Sequence, residues 1–207
     1  KTWKILLELE NLRLKRYMKS SLDKIKFSNL PNYLTLFSVI SIPIIIIAII
    51  PQTYLSNWIA VSLYIVACIS DFLDGYFARK LKLETKLGKF LDPIADKVLV
   101  ISIIFILVAI DKISGFFIYP ALIIIIREIL VSGLREFFAK SKISINVTNI
   151  AKWKTLIQMF SLGFLIIGDD FTLISYTMLL GEIGLTIASL ITIYTGYKYF
   201  NKHLNSF

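Results

Sequence analysis

Cysteine and histidine are almost absent from this 207-residue chain, which has one of each, Cys68 and His203. A single cysteine excludes an intrachain disulfide and with it a disulfide scaffold. Cys68 reads as a small buried apolar residue. His203 falls in a solvated tail, so no histidine-based nucleophile is available. Charge is scarce as well, at 18% of residues. In its place 57% of residues are hydrophobic and the mean hydropathy is +0.74, against roughly 45–50% apolar residues in soluble domains. The apolar residues come in runs such as 42–50, 98–110 and 118–126, too dense for amphipathic surface helices. This excludes a soluble enzyme and a disordered chain, and implies a polytopic membrane protein.

A hydrocarbon core takes about 20 apolar residues per helix. Six stretches qualify: 33–50, 57–78, 90–110, 116–138, 149–167 and 177–197. There is no β-barrel alternation. The expected fold is all-α, with six transmembrane helices and both termini on one side. The net charge is +9, but the cations do not line the face of a polar domain, as a nucleic-acid surface would require. They sit in the gaps. Residues 1–26 hold eight, 79–89 five, 135–154 five and the C-terminal tail two, whereas the three alternate gaps hold only Lys112. Lys and Arg collect on the cytoplasmic side, so both termini are expected there. Residues 1–27 form a separate basic amphipathic segment, in which Trp3, Ile5, Leu6, Leu9 and Leu12 alternate with charges. That pattern suits a helix lying on an anionic leaflet, and equally a flexible basic leader or residues upstream of a start at Met18. Residues 28–207 make the membrane domain. Tyr54, Trp58 and Trp153 fit interfacial belts.

Ionisable residues inside a span are costly, and each suggests function. The second span ends Asp71-Phe-Leu-Asp74-Gly75-Tyr-Phe-Ala78-Arg79, and the third opens Gly88-Lys-Phe-Leu-Asp92-Pro-Ile-Ala-Asp96-Lys97. At about 100° per residue, Asp71, Asp74, Gly75, Ala78 and Arg79 fall in one arc of their helix. Gly88, Asp92 and Asp96 stack along one stripe of theirs. The short connection makes the two helices antiparallel neighbours, so four carboxylates can converge near the cytoplasmic interface. Ionised carboxylates crowded at low dielectric repel, so either some are protonated or a multivalent cation holds them. All-oxygen ligands select hard cations, and magnesium suits sites that also take phosphate. Two metals between four aspartates would suit in-line displacement at phosphorus. The small residues leave room for a ligand against the backbone, or simply permit close helix packing.

The spacing Asp71-x2-Asp74-Gly75-x2-Ala78-Arg79-x8-Gly88-x3-Asp92-x3-Asp96 resembles the complete signature of the CDP-alcohol phosphotransferase family. Asn29-Leu-Pro-Asn-Tyr-Leu-Thr35, Asp92-Pro-Ile-Ala-Asp-Lys97, Arg127-Glu-Ile-Leu-Val-Ser-Gly-Leu-Arg135-Glu136 and Lys152-Trp-Lys154-Thr155-x2-Gln158-Met159 resemble one branch of that family, the bacterial phosphatidylglycerophosphate synthases. The resemblance implies that Asp71, Asp74, Asp92 and Asp96 bind two divalent ions, Mg²⁺ or Mn²⁺. These would hold the pyrophosphate of CDP-diacylglycerol, with Asp96 also the base for the acceptor hydroxyl. Gly75, Ala78, Arg79 and Gly88 would line the CDP pocket, with Asn32 and Thr35 from the first span. It further implies a homodimer in the bacterial cytoplasmic membrane, with the active site facing the cytoplasm.

The acceptor is argued from cations. Arg127 and Arg135 lie about 80° apart on the fourth span, and Lys152 and Lys154 open the fifth at the same level. An acceptor carrying its own phosphate, such as glycerol 3-phosphate, needs cations distinct from the metal site, and arginine offers a bidentate fork. The plainer reading pairs Arg127 with a carboxylate and leaves the others as positive-inside anchors. Similar synthases usually have Arg where Ser38 stands and Gly at Ala151, which bears on a headgroup contact and on the acceptor pocket. Within the family, the competing acceptors are those of cardiolipin, phosphatidylserine and inositol-phosphate-using synthases. Outside it, the rival is a divalent-cation transporter, against which the acids sit near one membrane face rather than at the midplane. Asp92→Asn removes a ligand without changing side-chain size, and is expected to abolish CMP release while the protein stays folded. Near-normal turnover of the folded variant would exclude a metal role for Asp92.

Overall fold

The computed structural model describes the backbone of residues 30–81, 86–140, 149–170 and 176–203, and side chains within 36–73, 94–134, 150–169 (except 151) and 176–198. All the described regular structure is helical. There are six α-helices: α1 (Leu30–Ile49), α2 (Tyr54–Leu81), α3 (Lys86–Ala109), α4 (Ile118–Lys140), α5 (Asn149–Ile167) and α6 (Thr177–His203). Short 3₁₀ turns, Gly115–Phe117 and Gly168–Asp170, precede α4 and follow α5. Each helix coincides with one expected apolar stretch. Among the described residues, three segments are long and apolar enough to cross a membrane: Tyr54–Leu73, Gly115–Leu134 and Thr177–Lys198. The basic amphipathic segment 1–27 lies outside the described residues.

The polar break expected over 79–89 is shorter in the structure. Helix α2 continues to Leu81 and α3 starts at Lys86, so Arg79 and Gly88 are helical. Lys, Leu and Arg are good helix formers, and the helices propagate through Arg79, Lys80 and Leu81 and through Lys86 and Leu87.

The opposite helix ends are closed by local chemistry. After α1, Gln52 takes a positive φ of 50°, and the Ser56 hydroxyl donates to the Ala48 carbonyl, one of the orphan acceptors at a helix end. Thr53 accepts from the Ser56 amide at 3.3 Å and so caps α2. After α3 the left-handed residue is Asp111, φ 61°, a type that tolerates that region. After α5 it is Gly168, φ 67°, whose carbonyl accepts from the Thr177 hydroxyl. Lys112, the exception to the charge pattern, is only 8% exposed. It donates to Asn57 Oδ1 at 2.9 Å and to the Ile166 carbonyl at 2.6 Å, tying the start of α2, the α3–α4 connection and the end of α5 together.

The core is a single aliphatic cluster running through Ile45, Ile49, Ala60, Ala67, Ile103, Leu107, Ile124, Leu162 and Leu185. Helix α1 packs on both α2 and α3, α2 packs on α5, and α6 lies against both α4 and α5. The exterior is equally apolar: Phe105 is 72% exposed, and Ile47, Leu55, Phe160 and Leu190 also point outward. Polar side chains go inward instead, with Asn57, Lys154, Gln158, Ser161 and Thr192 all buried. Apolar outside and polar within is the arrangement of a membrane protein, in which helices associate through small residues and interhelical hydrogen bonds.

That rule is clearest where α5 meets α6. A Cβ at Gly181 would stand 2.7 Å from Leu165 Cγ and 3.0 Å from the Ser161 carbonyl, and one at Gly184 would collide with the Ser161 hydroxyl. The backbones therefore touch. Gly181→Val is expected to cost about 1–3 kcal/mol, the usual penalty of overpacking, read as a lower unfolding temperature in detergent. Gly133→Ala on α4, with nothing within 4 Å of the added carbon, is the control expected to leave it unchanged or raised. Equal behaviour of the two variants would mean that α5 and α6 are not locked at this point.

Candidate active site

Two helices deliver the acids. Asp71 is half-buried on α2, and Asp74, Gly75, Ala78 and Arg79 follow on the same unbroken helix. Gly88, Asp92 and Asp96 all lie on α3, where Asp96 is exposed. The side chains of Asp74, Arg79, Asp92 and Arg135, the latter on α4, lie outside the described residues, as do those of Asn32 and Thr35 on α1. Cys68, one turn before Asp71, feels the charges of both Asp71 and Asp96. The two helices therefore bring the first and last carboxylates of the pattern to one neighbourhood.

Among the described residues no three Asp, Glu, His or Cys side chains form a metal-binding group; Asp74 and Asp92 are not among them. The donors present suit a hard cation. The Cys68 thiol is hydrogen-bonded with Tyr64, whose hydroxyl donates to the Met159 carbonyl at 3.1 Å. That leaves carboxylate oxygens, which favour magnesium or manganese over softer metals.

A second cluster lies beside the acids. Lys97, the residue after Asp96, donates to Ser132 on α4. One turn earlier on α4 is Glu128, whose Oε1 is the partner of Lys154 from α5 and lies 3.5 Å from Arg127 Nη1. The Lys97 charge also reaches Glu128. Lys154 is deeply buried, with 2% of its side chain exposed, while Arg127 and Glu128 retain 16% and 17%. Lys152 faces outward. Of the four expected acceptor cations, the structure thus gathers Arg127 and Lys154 around one carboxylate and leaves Lys152 on the surface. Sequence reasoning gave no role to Glu128 or Lys97. The signal was present, since a carboxylate inside an apolar helix asks for a partner, but which cation answers it depends on packing.

The described helices combine an apolar exterior, a pair of helices that carries the acid pattern and a cation cluster around Glu128. The family model for CDP-alcohol phosphatidyltransferase matches residues 28–194, and the chain belongs to that family. Its relatives are more particular. A CDP-diacylglycerol–glycerol-3-phosphate 3-phosphatidyltransferase of Rickettsia bellii is 48% identical over 172 residues, covering 83% of this chain and 93% of its own. Proteins of the same name from Haemophilus influenzae and Bacillus subtilis are 38% and 35% identical, with 83% and 84% of this chain covered and 91% and 95% of theirs.

The two lysines of α5 are expected to separate on mutation. Lys154→Ala removes the buried partner of Glu128 and leaves that carboxylate to Arg127 alone, which should lower stability by about 1–3 kcal/mol, the cost of losing a charge-assisted hydrogen bond. Lys152→Ala, on an exposed side chain, should leave the unfolding temperature unchanged. Equal stability of the two variants would show that Lys154 is not structurally paired.

Proposed function

We infer that the chain transfers the phosphatidyl group of CDP-diacylglycerol to a hydroxyl of glycerol 3-phosphate, giving phosphatidylglycerophosphate and CMP. The observation that carries this reading is the junction at Asp96 and Lys97. The acid pattern ends at Asp96, and Lys97, next on α3, bonds Ser132 one turn from Glu128, the carboxylate that Arg127 and Lys154 share.

Asp71, Asp74, Asp92 and Asp96 would hold two divalent ions, Mg²⁺ by preference, and when bound these neutralise the pyrophosphate and make its phosphorus more electrophilic. Asn32, Thr35, Gly75, Ala78, Arg79 and Gly88 form the CDP side of the site, the small residues admitting the nucleotide against the helix backbone. Arg127, Arg135 and Lys154 take the acceptor's phosphate, and Lys152, exposed two residues before Lys154 on the same helix, adds positive charge at the surface. Asp96 accepts the proton of the acceptor hydroxyl. The oxygen of that hydroxyl bonds to the phosphorus attached to diacylglycerol, the bond from that phosphorus to the bridging oxygen breaks, and CMP departs with the electron pair.

All six helices cross the membrane in this reading, with both termini and the site on the cytoplasmic side of the bacterial inner membrane. The burial of Lys112 among hydrogen-bond acceptors supports that orientation, because the one cation on the opposite side is engaged by the protein rather than solvated. Residues 1–27 contribute positive charge for anionic lipids, and the chain works as a homodimer.

Purified protein supplied with CDP-diacylglycerol and a panel of alcohols should form product with glycerol 3-phosphate and none with glycerol or serine. Arg135→Ala should raise the KM for glycerol 3-phosphate about 10- to 150-fold, the equivalent of one charged hydrogen bond at roughly 1.5–3 kcal/mol, with little effect on the KM for CDP-diacylglycerol. Product with another acceptor, or metal uptake without CMP release, would overturn the assignment.

A further inference from the structure

Glu128 is the point at which three helices exchange charge. Its Oε1 is shared by Lys154 of α5 and by Arg127, its neighbour on α4. Lys97 of α3 is bonded one turn along at Ser132. Helices α4 and α5 each lean on α6 rather than on each other, so the Glu128–Lys154 pair spans between two helices that make little other contact among the described residues. Lys154 is enclosed, whereas Glu128 and Arg127 each keep part of their side chains exposed.

A cation so deeply buried must have an anion beside it at all times, because leaving it uncompensated is strongly unfavourable. A carboxylate and a phosphate ask for the same donors in similar geometry. We propose that Glu128 is a positioning residue that occupies the place of the acceptor's phosphate on Lys154 and Arg127, holding both cations while the site is empty and yielding them when the phosphate arrives. This rests on the acceptor site assigned above and adds to it a built-in competitor. Glu128 keeps the empty site folded and weakens the hold on phosphate, and so favours release of a product that retains that phosphate. No covalent step involves it.

The test is Glu128→Gln, which keeps the size and removes the charge. The KM for glycerol 3-phosphate and the inhibition constant for inorganic phosphate should both fall roughly tenfold, equivalent to about 1.4 kcal/mol, while the KM for CDP-diacylglycerol stays unchanged. The ligand-free variant should melt at a lower temperature than the wild type, and inorganic phosphate should raise its melting temperature by more than it raises that of the wild type. A residue of purely structural importance would lower the melting temperature without enlarging the phosphate response. A KM for glycerol 3-phosphate that is unchanged or raised in the folded variant overturns the proposal. Should Glu128→Gln not fold even with phosphate, Glu128→Asp takes its place. Its shorter carboxylate reaches the two cations less well, and the KM should fall about threefold, or some 0.65 kcal/mol; a rise overturns the proposal.

The acceptor site itself is tested separately. Glu128→Leu/Lys154→Met replaces the pair by apolar groups and should fold, since such exchanges are often neutral for stability. It and Arg127→Ala should both raise the KM for glycerol 3-phosphate. If neither does, the acceptor site is misplaced. If both do but Glu128→Gln does not lower the KM, only the role of Glu128 fails.

Discussion

The backbone contact of α5 with α6 is the constraint on which the remaining arrangement depends. Lipid chains are as apolar as leucine, so helices in a bilayer gain little from hiding aliphatic surface and must instead approach closely. Gly181 and Gly184 permit this approach against Ser161 and Leu165. Once α5 and α6 are joined, α4 packs on the outer flank of α6 and α2 on α5. Farther along the same α5, Lys154 is brought within reach of α4, and on α6 Gly196 lies beside the aliphatic stem of Arg127. The glycines at one end of the seam thus determine where the cations meet at the other.

The two ends of the bundle handle charge differently. At the Lys112 end, one ammonium donates to an amide oxygen and a terminal helix carbonyl and so joins three elements of the bundle. At the Glu128 end a carboxylate is shared between two cations, and in low dielectric such a cluster holds together only while its charges compensate one another.

Much of the fold was legible in the amino-acid order because membrane helices are specified by length and apolarity alone. The six apolar stretches coincide with α1–α6, and Pro51, Asp111 and Gly168 mark their ends. The acids were legible for a related reason. Asp71, Asp74, Asp92 and Asp96 follow helical spacing on two consecutive helices, α2 and α3, so the face each occupies is set by local geometry. Only the outermost helical residues, 80–81 and 86–87, were not legible, since polar helix formers beyond the apolar run carry no hydropathy signal.

The sequence by itself therefore determined the helical class, the place of the six described helices and the class of chemistry, because each depends on periodicity within one or two adjacent segments. Only the tertiary structure decided the fates of the cations. Lys152 and Lys154 are two residues apart on one helix, yet one is exposed and the other fully enclosed. Lys112, in sequence simply the one cation of the opposite gaps, is a buried clamp. Glu128, in sequence only part of a motif, is the shared partner of Arg127 and Lys154. Such outcomes depend on which helices become neighbours across 26 to 55 residues of chain. That is settled by close packing at glycine and serine, whose effect on a charge one or more turns away leaves no local pattern to read.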